Sequence, residues 1–127
     1  MASTDKGVIA AASLFIGDGA IAAYNASNAR IGVGDSSTAF AASQTDLQAA
    51  SNKFRKLVDS TPVRSSNSVD FTSSYALSEA NFAWNEIALF NSSSGDHMAT
   101  RRTLSGFGTK TSSEQWVVTL TVVFTAA

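Results

Sequence analysis

The stretch Ser78-Glu79-Ala80-Asn81-Phe82-Ala83-Trp84-Asn85-Glu86-Ile87-Ala88-Leu89-Phe90-Asn91 decides the fold of this chain. From Phe82 onward it is apolar and aromatic-rich, with one carboxylate, Glu86, in its middle. Phe82, Trp84, Ala88 and Phe90 share one parity, and Ala83, Ile87 and Leu89 share the other. A strand over Phe82 to Asn91 therefore has both faces covered. Such a strand belongs in the middle of a sheet, and it points to a packed structural β-domain rather than to a catalytic pocket.

The texture on either side agrees. Downstream, Asn91-Ser92-Ser93-Ser94-Gly95-Asp96 reads as a hairpin tip, followed by a strand over Met98 to Leu104. A last strand spans Gln115 to Phe124, where Trp116, Val118, Leu120, Val122 and Phe124 alternate with Val117, Thr119, Thr121, Val123 and Thr125. Upstream, Ala29 to Val33 is a short strand ending in the turn Gly34-Asp35-Ser36-Ser37. Thr38 to Ala50 is a loop or short helix. Further strands are expected over Lys53 to Val58, running on toward Val63, and over Ser68 to Ala76, with Ser65-Ser66-Asn67 as the turn between them.

The apolar run Val8 to Ile16, with Ala20 to Ala23 beyond it, is neither a signal peptide nor a span. Gly17-Asp18-Gly19 interrupts it well short of the roughly 20 apolar residues a membrane helix needs, and Asp5 offsets Lys6 in front of it. A short helix fits better, capped by Thr4 or Asp5 and stopped by Gly17 and Gly19. Val8, Ile9, Ala12, Phe15 and Ile16 would form one apolar stripe, buried against a sheet or a neighbouring chain. The expected fold is mainly β, an antiparallel β-sandwich or small barrel with a short N-terminal helix or arm. Residues 1–28 form the arm and 29–127 the β-domain of a single domain overall.

Composition narrows function. The 127 residues are 44% hydrophobic and only 15% charged, with a formal net charge of −1 and no cysteine. That supports one domain with a real core, and it supplies no field to gather nucleic acid or anionic membrane. Disulfides and thiolate metal sites are excluded. Neither a metal nor a cofactor is expected, and the chain does not read as an enzyme. His97 is the single histidine and sits in the polar tip, where it reads as a solvated loop residue. The glycine-rich pieces Gly32-Val33-Gly34-Asp35 and Gly106-Phe107-Gly108-Thr109-Lys110 match no phosphate-binding fingerprint and read as turns. Asp18 and Asp35 read as turn residues rather than calcium ligands. Arg55 is the expected partner of Glu86, in a structural ion pair that fixes strand register; Arg101 or Arg102 competes for the role, and the alternative is a Glu86 that reaches solvent at a sheet edge.

The ordered set Ile31-Gly32-Val33-Gly34-Asp35-Ser36, Gln44-Thr45-Asp46-Leu47, Phe54-Arg55, Phe82 to Phe90 and the closing Trp116 to Phe124 strand resembles a family of small tailed-bacteriophage virion proteins. The layout is also similar to the N-terminal domain of phage tail-collar fibres. The resemblance spans about residues 29–125, and the order of its short motifs carries most of it. Ala88 stands where the family's Glu-Ile-Gly-Leu-Phe core has glycine. The resemblance implies a structural role on the virion without an active site. The expected role is a capsid decoration or cement protein on the head surface, a homo-oligomer, expected as a trimer, that binds the major capsid protein. No nucleic acid or membrane partner is expected. Val8, Ile9, Ala12, Phe15, Ile16, Ser93 and His97 would make the capsid and intersubunit contacts. A tail, collar or fibre-base subunit is the alternative, disfavoured because the sequence stops at the domain's last strand. A carbohydrate or host-receptor module is a further one, and it requires an exposed aromatic platform where the decoration reading requires buried tryptophans and an apolar contact patch.

Overall fold

Antiparallel pairing sorts seven strands into two sheets in the computed structural model, which describes residues 3–95 and 97–126. A helix α1, Asp5–Ile16, comes first. The strands are β1 Arg30–Gly34, β2 Lys53–Leu57, β3 Val63–Ser65, β4 Ser68–Tyr75, β5 Glu86–Phe90, β6 Met98–Thr103 and β7 Trp116–Val123. One sheet has the order β2-β1-β5-β6 and the other β3-β4-β7. The architecture is an antiparallel two-sheet β-sandwich with a short N-terminal helix, not a closed barrel.

The sheets meet through Ile31, Val33, Ile87 and Leu89 on one side and Phe71, Tyr75 and Leu120 on the other. Tyr75 ties them directly, its hydroxyl donating to the Ile31 carbonyl at 2.7 Å. Every residue of β5 is buried, as double-sided apolarity requires. Its second face is covered by the β1–β2 loop, which lays Leu47 over Ala88, Phe90 and Met98 as a smaller core. Gly32 leaves room for the Phe90 ring, 2.6 Å from where a Cβ would stand. Ala88 pairs directly with Gly32, so the outer face of the sheet centre is lined by small residues.

Two expected elements differ. Strand β5 begins only at Glu86, because residues 82–84 leave the ladder; Trp84 N donates to Gly108 O and Lys110 N donates to Phe82 O. That detour lets Trp84 turn into the inter-sheet core, where it is fully buried and its Nε1 donates to Ala80 O at 3.0 Å. Strands β2 and β3 are separate rather than one run to Val63. Residues 38–50 form a loop, one of the two forms expected of them.

Candidate interaction surface

Helix α1 is set by its caps. The Thr4 hydroxyl oxygen accepts from Gly7 N at 3.0 Å and Gly17 closes the helix in the left-handed region, φ 64°. Thr4 is also its anchor: its N–H donates to Ala99 O at 3.1 Å and its hydroxyl donates to Met98 O in a short contact. Ser3 forms an isolated antiparallel bridge with Thr100, so the chain leading into α1 covers part of the β6 edge.

The face that α1 turns to the body is small. Gly7, Ala10 and Ser13 recur every third residue; Ala10 and Ser13 are buried, and a Cβ on Gly7 would overlap the Ala99 carbonyl. Backbone thus lies on backbone, and the large apolar side chains point elsewhere. The expected stripe is the outward face: Phe15 is 90% exposed, Ile16 72%, Val8 61% and Ile9 54%, and Ala12 is exposed beside them. The stripe is therefore not buried against the chain's own sheet, because that place is taken by the Gly7-Ala10-Ser13 row. The three-residue spacing of these small side chains was the available signal.

An apolar groove of about 400 Å³ opens beside the helix, between the edges of the two sheets, with Val8, Leu14, Val69, Val122 and Phe124 among its walls. The stripe and the groove form one apolar region, bounded by Val8 and Leu14.

The tip between β5 and β6 joins the helix at its N-terminal end, since β6 starts at Met98, the residue Thr4 holds. Asp96 of that tip lies outside the described residues. Ser93 is exposed. His97 is half-buried rather than solvated, and its backbone is held on both sides: the Tyr24 hydroxyl donates to its carbonyl at 2.7 Å and its N–H donates to the Asn91 side-chain oxygen at 3.2 Å. The tip is also held from the sheet by Arg55, whose Nη1 donates to Ser92 O at 3.0 Å and Gly95 O at 3.1 Å.

Arg55 does not pair with Glu86. It stacks over the Phe90 ring, 3.5 Å from the centroid, and its Nη2 donates to Asp46 Oδ1 at 3.1 Å. Glu86 pairs with Arg101, Nε to Oε1 at 2.8 Å, with both side chains wholly buried. The reason is strand order. Arg55, Gly32, Ala88 and Arg101 stand in one cross-strand row, but β6 adjoins β5 whereas β2 lies two strands away, roughly 9–10 Å. The two Glu86 oxygens also accept from Gln48 N and Ala49 N at 2.8 Å each, and Arg101 donates to Gln44 Oε1 and Thr38 O. The pair therefore fastens the covering loop as well as the sheet. Burial alone raises the Asp46 carboxyl, but bonds from Leu47 N, Arg55 and Lys53 outweigh it and hold its pKa below the ordinary range.

Several other chemically capable groups are committed to structure. Lys110 is buried, its Nζ donating to Ala76 O at 2.7 Å and Asn81 Oδ1 at 2.9 Å, which clamps the detour before β5. The side chains of Tyr75 and Trp84 are buried and Trp116 is half-buried; the rings of Tyr75 and Trp116 each stand edge-on to Trp84 at 4.8 Å. Burial pushes the Tyr75 phenol far above its ordinary pKa. Among the described residues no group of three or more His, Asp or Glu side chains is placed to hold a metal ion, and no helix is long and apolar enough to cross a membrane. No protein-family model, no curated protein and no solved structure matches this chain.

Proposed function

We propose that this chain is a structural protein of a tailed-bacteriophage virion, a capsid decoration protein that seats on the major capsid protein of the head through the outward face of α1. The observation that carries the reading is the stripe itself. Phe15, Ile16, Val8 and Ile9 are displayed on a helix whose inner face is fully occupied by small residues, so the apolar face is available to a second surface. Self-association and binding to the shell need no catalytic step, and the buried Trp84 with the half-buried Trp116 suits a packed body better than a sugar platform. Repeated over a shell, modest contacts of this kind act multivalently and stabilise the head.

The test is particle occupancy of Phe15→Asp combined with Ile16→Asp. Both side chains are exposed, so the variant keeps its fold by circular dichroism and is lost from purified heads. Undiminished occupancy of a folded variant contradicts the proposal. Removing residues 1–16 is a poorer test, because it also strips Ser3 and Thr4 from the β6 edge.

A further inference from the structure

The sandwich has four sheet edges, and three are protected in recognisable ways. The β6 edge is partly covered by Ser3 and Thr4. The β2 edge carries Lys53, Arg55 and Lys56, and β3 is only three residues long. Charge, covering segments and brevity are the devices by which sheets avoid edge-to-edge pairing. The β7 edge has none of them. It is eight residues long, among the described residues it is adjoined only by β4, and the stretch from Gln115 to Ala127 contains no charged residue and no proline.

The open hydrogen-bonding row on this edge can be assigned. Phe124 N donates to Asn67 O, and the β4–β7 register is unbroken from Ser68↔Val123 to Tyr75↔Trp116. Alternation then turns the backbone groups of residues 118, 120 and 122 toward β4 and those of Val117, Thr119, Thr121 and Val123 outward. Among the described residues these outward groups have no hydrogen-bond partner.

The strand is also palindromic in character. Trp116-Val117-Val118-Thr119-Leu120-Thr121-Val122-Val123-Phe124 reads aromatic, Val, Val, Thr, Leu, Thr, Val, Val, aromatic from either end. We propose that β7 pairs antiparallel with β7 of a second copy of this chain about a two-fold axis at Leu120, joining the two three-stranded sheets into one of six. In that register Val117 meets Val123 of the second copy, Thr119 meets Thr121, Val118 meets Val122, and Trp116 meets Phe124. The outward backbone rows coincide, because Val117, Thr119, Thr121 and Val123 are opposed only to one another. They supply about eight inter-chain hydrogen bonds, two for each facing pair. A two-fold axis normal to the sheet keeps core face with core face, so the inner residues of the second strand extend the apolar surface beside the groove that Val122, Val123 and Phe124 border. The contact closes on itself, so the β7 edge supports no open growth. It is two-fold, in place of the trimer expected from the sequence, and it does not depend on the virion reading.

Sedimentation velocity on the full chain tests it, together with two variants. Thr119→Pro removes one outward N–H at an edge position that proline tolerates. Val117→Lys combined with Val123→Lys leaves the backbone intact and sets lysine against lysine at both facing Val117–Val123 pairs. The wild type sediments as a dimer, and its amides at 117, 119, 121 and 123 are protected from hydrogen exchange. Both variants sediment as folded monomers at concentrations where the wild type is dimeric, and those amides exchange. A monomeric or trimeric wild type, open-ended growth with concentration, or a dimer unaffected by the lysine variant each overturns the proposal.

Discussion

Replacing Arg101 by methionine isolates the interaction that joins β5, its neighbour β6 and the covering loop. The substitution leaves the Glu86 carboxylate wholly buried, with only the Gln48 and Ala49 N–H groups to hold its charge. Stranding one partner of a buried pair costs roughly 3–5 kcal/mol. Against a total stability of roughly 5–15 kcal/mol, that is a large share. With a urea m-value of about 2 kcal/mol/M, the midpoint falls by about 1.5–2.5 M while m stays unchanged. Arg55→Met is the control. Arg55 pairs with the half-exposed Asp46, stacks on Phe90 and donates to the Ser92 and Gly95 carbonyls of the exposed tip, which together amount to about 2–3 kcal/mol. The Glu86→Leu, Arg101→Met double variant regains only part of the loss, since two loop N–H groups are then buried without an acceptor. Equilibrium urea unfolding followed by tryptophan fluorescence reads all three. An Arg101→Met midpoint within about 0.5 M of wild type, or an Arg55→Met loss exceeding it, refutes the reasoning.

Other perturbations probe separate parts. Gly7→Ala drives a methyl into the Ala99 carbonyl and lifts α1 from β6, costing roughly 1–3 kcal/mol; hydrogen exchange rises in α1 and β6 and stays unchanged in β1. Phe107→Ala removes the ring stacked on Trp84 at 6.0 Å, so tryptophan emission shifts to the red with a loss of about 0.5–1.5 kcal/mol. Two Lys56 bonds and the Ala76 N–H hold the Glu79 carboxyl below its ordinary pKa. Its stabilisation is therefore complete above the ordinary glutamate range and disappears as pH falls through the lowered value. Glu79→Gln is accordingly less stable than wild type at neutral pH and converges with it in acid, as urea midpoints from about pH 7 to about pH 3 show.

Much of the sandwich is legible in the residues. Strand β7 stands out because one of its faces packs and the other does not, which writes a clean alternation. The limits of α1 follow from Thr4 and Gly17, whose roles are local. What the sequence hides is decided between segments. Residues 82–84 have the composition of a strand, yet they leave the ladder because Lys110 and Gly108, over twenty residues downstream, hold them and draw Trp84 inward. The partner of Glu86 depends on which strands are neighbours, and composition cannot distinguish Arg55 from Arg101 until the order β2-β1-β5-β6 is known. The apolar stripe on α1 is plain in the sequence, but its outward direction is set by the close approach of Gly7 to β6.

The placement of the protein is tested most directly by cross-linking mass spectrometry on intact purified particles, reading links from Lys6 on α1 and from Lys53 and Lys56 on β2. Lys110 is buried and is not a reporter. Lys6 is expected to be joined to the abundant shell protein. Links confined to low-copy tail proteins would move the chain to the collar or fibre base, and no link to any virion protein would contradict the structural role itself.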